Sequence, residues 1–140
     1  MTPLSVYQMQ DGYFKKTFGN FVSKIYNNDK SAAVTCRDNH EVSAIDDLLW
    51  TYSQLSFLPH YTAKDSVEAN IIKAVYIGTQ PVVKFESNIF MSPDLVTNVG
   101  RKVYVVDKEN HKSDDLINLF SDFSLKIFSQ SKAGIWEKKF

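Results

Sequence analysis

Cysteine is nearly absent from this sequence. Cys36 is the only one among 140 residues, so the chain can form neither an internal disulfide framework nor a cysteine-based zinc site. A long apolar run is missing too. Nothing approaches the ~18–20 apolar residues that cross a bilayer, and the first residues lack the basic and apolar segments of a signal peptide. We therefore expect a cytoplasmic protein with no membrane partner.

The sequence also lacks an excess of charge of either sign. Lys plus Arg number 16 and Asp plus Glu number 16, so the formal net charge is zero. Proteins whose main task is to hold duplex DNA carry a basic excess that neutralises phosphates. The balance therefore predicts little direct DNA binding, although a local basic patch is compatible with it. The length and a hydrophobic fraction of 44% indicate one globular domain over residues 1–140.

Motifs for nucleotides, metals and nucleophilic catalysis are missing as well. The loop after the first predicted strand contains a single glycine, Gly12, so it cannot form a dinucleotide fingerprint, and no Walker-type motif occurs. Cys36 ends a predicted buried strand, where a cysteine is usually a small core residue. The three histidines lack metal-ligand spacing. We therefore expect a protein with no catalytic residue, metal or cofactor. The alternative to this non-catalytic function is a small α/β nucleotide-binding protein or enzyme.

Hydrophobic periodicity predicts strands that alternate with helices. Helical spacing covers Tyr13–Tyr26, the segment after the capping pair Asp38 and Glu41, and a segment opened by Ser113 as N-cap. The predicted strands are Leu4–Tyr7, Ala32–Cys36, Ile71–Ile77, Val82–Phe85, Val103–Val106 and Phe123–Ile127, with a tight turn at 132–134 leading into Ile135–Trp136. This order predicts an α/β fold: a largely parallel sheet flanked by helices, with an antiparallel C-terminal edge hairpin.

One aromatic cluster is open to two interpretations. Trp50 stands at the end of the second predicted helix, and Phe57, Leu58, Pro59 and His60 follow closely. These side chains could belong to the core. Alternatively, Pro59 stiffens a surface loop, and a Trp and a Phe presented there would form a hot spot for a protein partner. Periodicity alone leaves both interpretations open.

The same cluster resembles the signature of a known family. Residues 47–50 followed by 56–60 (Asp-Leu-Leu-Trp and Ser-Phe-Leu-Pro-His) are similar to a block in the chi subunit family of bacterial DNA polymerase III. In that family a helix ending in Leu-Trp precedes Ser-Phe-x-Pro-His. Residues 93–95 (Pro-Asp-Leu) and 134–139 (Gly-Ile-Trp-Glu-Lys-Lys) look similar too. The Trp-Glu-Lys-Lys ending most resembles the alphaproteobacterial branch.

This resemblance implies a chi-like domain shaped like nucleotide-binding sheets but without a nucleotide site. It implies a non-catalytic accessory subunit of the DNA polymerase III holoenzyme in DNA replication. Chi-like proteins link the clamp loader, through the psi subunit or another of its components, to the C-terminal tail of single-stranded DNA-binding protein (SSB). In some members the psi-binding surface also recruits a repair helicase. The expected partner-binding residues here are Trp50, Phe57, Leu58, Pro59 and His60.

The basic residues of an SSB-tail site are missing from their usual place. The SSB tail ends in acidic residues and a C-terminal Phe, so its receptor needs an apolar pocket beside Lys or Arg. In chi-like proteins these charges come from the last long helix, whereas residues 114–123 here contain three aspartates and no basic residue. The nearby lysines could be an ordinary solvated edge. The competing hypothesis is a shifted tail site formed by Lys126 and Lys132 with Ile127 or Phe128 as the apolar floor.

Overall fold

The structure, a computed structural model, describes residues 2–53, 58–62, 74–82, 85–97 and 101–140. Within these ranges an eight-stranded sheet is accompanied by three α-helices and by short 3-10 turns at Asp11–Tyr13 and Pro93–Leu95. The helices are α1 (Phe14–Asp29), α2 (Asn39–Thr51) and α3 (Ser113–Leu119). The strands are β1 (Pro3–Gln8), β2 (Ala32–Thr35), β3 (His60–Thr62), β4 (Val75–Gly78), β5 (Ser87–Phe90), β6 (Lys102–Val106), β7 (Ser124–Gln130) and β8 (Trp136–Lys138).

The sheet is parallel except at one edge. Its strand order is β3-β4-β2-β5-β6-β1-β7-β8, and every neighbouring pair is parallel apart from the antiparallel pair β7 and β8. All four residues of the interior strand β2 are buried, as is typical of a parallel sheet covered on both faces. The predicted α/β fold class, including the antiparallel edge hairpin, is confirmed.

Alternation along the strands creates a separate core on each face of the sheet. In β1, Leu4 and Val6 point to one face and Tyr7 to the other, because successive side chains of a strand project in opposite directions. The first face packs against α3 through Leu116 and Phe120. The opposite face packs against α1 and α2. No helix in the described part of the chain is long and apolar enough to cross a membrane.

Helix α2 begins with a side-chain cap, whereas α1 and α3 begin without one. The Asp38 carboxylate accepts a hydrogen bond from the Glu41 backbone N–H at 2.9 Å, and the Glu41 carboxylate accepts one from the Arg37 N–H at 2.8 Å. The predicted capping pair is thus confirmed. The Ser113 prediction is wrong, because Ser113 already lies inside α3 and Lys112 occupies the N-cap without a side-chain cap. The two first-turn aspartates of α3 still favour this helix end.

Strand β5 lies later in the chain than predicted. Val82 and Phe85, the ends of the predicted strand Val82–Phe85, lie outside any strand, and residues 83 and 84 are outside the described residues. The observed strand contains Ser87 and Asn88, whose polar side chains are buried through hydrogen bonds to Asp29 and to the Phe85 carbonyl. Of the predicted strand Ile71–Ile77, residues 71–73 are likewise not described, and β4 begins at Val75. The short strand β3 was not predicted.

Helices α1 and α2 meet at a position that only glycine fits. A Cβ atom at Gly19 would stand 2.3 Å from both Cγ and Cδ2 of Tyr52, the residue that follows α2. Non-bonded carbon atoms approach to only ~3.5–4.0 Å. The close approach therefore depends on the missing side chain, and it fixes where the C-terminal end of α2 lies.

Candidate partner-binding surfaces

Trp50 is exposed because of its angular position on α2. The buried side of this helix is formed by Val42, Ile45 and Leu49, which follow helical spacing. Trp50 is one residue, or about 100°, further round the helix than Leu49. Its side chain is consequently 57% exposed. A tryptophan is costly to leave in water, and burying it against a partner would be favourable.

His60 supports the Trp50 ring from below. The two ring centroids are 4.6 Å apart with an edge-on tilt of 61°, while the His60 side chain is only 1% exposed. Its Nδ1–H donates to the Leu58 carbonyl at 2.6 Å, and its Nε2 lies 3.3 Å from Asp46 Oδ1. These contacts hold the His60 imidazole in place, so the Trp50 indole packs edge-on against a fixed ring.

The other predicted residues of this cluster lie at different depths. Leu58 is 2% exposed and belongs to the core between the sheet and the helices. Pro59 is partly buried, and its carbonyl accepts a hydrogen bond from Val75 N–H at 2.9 Å. Phe57 lies outside the described residues. We call the surface formed by Trp50 and Pro59 over His60 the Trp50 patch, with Leu58 anchoring it from inside.

Acidic side chains flank the Trp50 patch. Asp46 and Asp47 precede Trp50 by four and three residues, a spacing that places side chains on the same side of a helix. Asp47 is exposed, and Asp46 is partly buried near His60. A partner that covers the indole would meet these carboxylates at the rim, so complementary basic side chains would favour its association.

The predicted SSB-tail residues divide between the two faces of β7. Lys126 and Phe128 point to one face, and Ile127 points to the other, where it is 0% exposed within the core under α3. Ile127 therefore cannot be the floor of an open pocket, whereas Phe128 can. Lys132 is exposed in the turn between β7 and β8.

Phe128 forms part of a cleft that the sequence did not reveal. Aromatic rings from four strands and α1 surround a cavity of about 640 Å³, which we call the aromatic cleft. The Tyr7 ring stacks on Phe128 at 5.0 Å and meets Trp136 edge-on at 5.6 Å. On the other side, Phe21 of α1 packs edge-on against Tyr104 at 5.7 Å. Apart from Phe128, these residues look like ordinary strand or helix positions in the sequence, and the strand register brings them together.

The rim of the aromatic cleft is polar and positively charged. Lys16, Asn20, Lys24 and Asn28 line it at intervals of four residues along α1. All four are exposed. Among the residues that the structure describes, the cleft lining includes no Asp or Glu. Burial raises the pKa of Tyr7, so its phenol is neutral at physiological pH. The cleft thus combines apolar walls with unopposed positive charge.

The Asp107 carboxylate and the Cys36 thiol are both buried inside the fold. Asp107 follows β6 at the edge where parallel α/β sheets usually hold ligands, but its fully buried carboxylate accepts hydrogen bonds from Gln8 Nε2 and from His111 N and Nδ1 at 2.8–3.0 Å. Burial raises the pKa of the Cys36 thiol to about 12. Cys36 is therefore not a thiolate nucleophile at neutral pH.

An α/β sheet that carries an exposed tryptophan and an aromatic cleft presents apolar surface of the kind that protein partners bury. The profile of the family described as DNA polymerase III chi subunit, HolC, matches residues 1–121. A protein of Rickettsia prowazekii (strain Madrid E), named "Probable DNA polymerase III subunit chi", is 24% identical to this chain over an alignment 154 residues long. The alignment covers 99% of this chain and 92% of that protein.

The chain belongs to the chi family of DNA polymerase III subunits. The resemblance seen in residues 47–60 is thereby confirmed. Family membership makes the protein a non-catalytic accessory subunit of DNA polymerase III, with a role in DNA replication and with partners in the replication complex.

Proposed function

We propose that this chi-family subunit links the clamp-loader complex to SSB in the cytoplasm, with residues 1–140 acting as a single chi-like domain. The observation that carries this proposal is the Trp50 ring, 57% exposed on a rigid histidine base. The clamp-loader side is assigned to the Trp50 patch together with Phe57. The partner there is psi or another clamp-loader component, and direct DNA binding contributes little.

A repair helicase is a second partner for the Trp50 patch. Because the patch offers one exposed indole, two proteins that both bury it would exclude each other. Competition between clamp loader and helicase is thus the expected behaviour. The acidic rim at Asp46 and Asp47 favours partners that present Lys or Arg beside an apolar pocket.

Trp50→Ala tests the clamp-loader link. We expect binding of purified clamp-loader subunits to weaken by about 2 kcal/mol or more, roughly 30-fold, as truncations of hot-spot residues do. Thermal unfolding should change little, because the side chain is more than half exposed. Leu119→Ala is a matched control, since Leu119 is 58% exposed on α3, far from α2 in the chain. If Trp50→Ala bound the clamp-loader subunits as tightly as Leu119→Ala does, the Trp50 patch would be removed from the proposal.

The SSB link is supported by the lysines near β7 and by the apolar surface of Phe128. A labelled SSB-tail peptide should bind at low salt and weaken as salt is added, because Lys–carboxylate attraction between exposed groups is screened. A peptide without detectable binding at ~1 mM, an affinity of only about −4 kcal/mol, would contradict this half of the proposal. The clamp-loader half would be unaffected, since it depends on the Trp50 patch and Phe57 and not on the residues near β7.

A further inference from the structure

We propose that the aromatic cleft is a receptor for an acidic peptide segment that carries an aromatic or large aliphatic side chain. This inference deepens the SSB half of the proposed function and rests on it, because the SSB tail has that chemistry. It moves the charged contacts from the turn at Lys132 to Lys16 and Lys24 of α1, and it keeps Phe128 as part of the apolar wall.

The apolar part of the cleft suits an inserted side chain. Its volume of about 640 Å³ lies within the range of pockets that hold small ligands. Tyr7 and Phe128 stack at 5.0 Å, and Trp136, which is 39% exposed, stands edge-on to Tyr7 as the outer wall. A ring that entered this space would find both ring faces and ring edges, the arrangement that aromatic pairs prefer.

The charge of the cleft selects an anionic ligand. The chain as a whole is neutral, yet the described part of the cleft lining contains Lys16 and Lys24 and no carboxylate. Across the ranges that the structure describes, neither ammonium group forms an ion pair. On the same face of the sheet, Lys126 and Lys138 lie beside Phe128 in the strand register. Acidic side chains of a docked segment would thus meet positive charge along α1 and along the edge hairpin.

A peptide explains the polar rim better than a nucleic acid does. Asn20 and Asn28 alternate with Lys16 and Lys24 along α1, and their amides can both donate to and accept from a peptide backbone. A single strand of nucleic acid would instead need a basic groove that follows its phosphates and a series of stacking platforms. The aromatic cleft is one concave space with two lysines at its rim.

The test uses the protein's two tryptophans to locate the ligand. In a Trp50→Phe chain, Trp136 is the sole tryptophan and stands in the cleft wall. The probes are a peptide with the C-terminal tail of the host's SSB, a second peptide in which the acidic residues are shuffled while the aromatic residue stays at the C-terminus, and an oligothymidylate. We expect both peptides to change the Trp136 emission and the oligothymidylate to leave it unchanged.

Charge reversal then tests the lysines. In an otherwise unaltered chain, Lys16→Glu with Lys24→Glu should weaken binding of the labelled SSB peptide at low salt by at least about tenfold. Lys15→Glu with Lys112→Glu makes the same change in net charge at two exposed lysines outside the cleft lining, and it should change binding by less than about twofold.

The possible results separate this inference from the proposed function. If the SSB peptide binds without changing the Trp136 emission, and Lys132→Glu abolishes binding while the Lys16 and Lys24 reversal does not, the cleft is overturned and the SSB link stands. If the SSB peptide fails to bind but the shuffled peptide occupies the cleft, the SSB link fails and the cleft stands. Binding of the oligothymidylate in preference to both peptides would overturn the peptide assignment.

Discussion

Replacing Gly19 by alanine tests how the end of α2 is held. The new Cβ would stand 2.3 Å from Cγ and Cδ2 of Tyr52 and 2.7 Å from its Cβ, which is about 1 Å closer than non-bonded carbons tolerate. The Cβ and Cγ atoms lie at the base of the Tyr52 side chain, so rotating the ring cannot remove the overlap. The end of α2 has to move away from α1.

The sign of the effect depends on two opposing contributions. Alanine is favoured over glycine inside a helix by about 1 kcal/mol. Overpacking of a closely packed contact costs about 1–3 kcal/mol, and the Tyr52 contact is tight enough to place Gly19→Ala in the upper part of that range. We expect a net loss of roughly 1–2 kcal/mol in the free energy of unfolding, measured by urea denaturation.

Gly12→Ala is the matched control, because no atom of the described residues other than the two chain neighbours lies within 4 Å of a Cβ at Gly12. It should change the free energy of unfolding by less than about 0.5 kcal/mol. Since Tyr52 is two residues beyond Trp50, a shift of α2 would also move the Trp50 patch. Gly19→Ala should therefore weaken clamp-loader binding, whereas Gly12→Ala should not. A Gly19→Ala protein as stable as the wild type would refute the packing argument.

Three further predictions concern the charged groups. Asp107→Asn should lower the free energy of unfolding in urea by about 2–3 kcal/mol, because the buried carboxylate accepts hydrogen bonds from Gln8 and His111 that an amide nitrogen cannot accept. An unchanged free energy of unfolding would mean that water reaches this site. The hydrogen bond that His111 Nδ1 donates to the Asp107 carboxylate raises the pKa of His111 above 6.5, so the stabilisation from this pair should be complete below pH 6.5 and lost as pH rises through the folded-state pKa; equal stability on both sides of that range would contradict this coupling. Hydrogen bonding by Arg37 lowers the pKa of Asp94 to about 2, so stability should fall between pH 3.8 and about 2. In Arg37→Ala, NMR titration should show the Asp94 pKa return towards 3.8, and an unshifted value would show that Ser92 alone stabilises the carboxylate.

Local patterns correctly predicted those elements whose stability is decided by nearby residues. The Asp38 cap and Glu41 are three residues apart and form their hydrogen bonds as the spacing predicts. Gly134 adopts a φ of +83°, a left-handed conformation that glycine supports at no steric cost, and it turns β7 into β8. The alternation of Leu4 and Val6 with polar or aromatic neighbours likewise gave β1.

Features that depend on distant residues could not be predicted in this way. Ser87 and Asn88 look like turn residues, and β5 tolerates them because Asp29, 58 positions away, bonds to the Ser87 hydroxyl. The aromatic cleft depends on the register that places Tyr7 beside Phe128. The family signature does point to Trp50. Its exposure, however, depends on the direction in which α2 packs.

The position of β1 has a consequence for how the chain folds. Its neighbours in the sheet are β6 and β7, and Leu4 lies opposite both Val103 and Leu125. Closing loops of roughly one hundred residues is entropically costly and slow, and parallel pairing of this kind delays folding. Until β6 and β7 have been synthesised, β1 has no strand to pair with, and its apolar face has no core to enter. We therefore expect the nascent chain to complete its sheet late, which makes the exposed β1 segment a target for chaperones during synthesis.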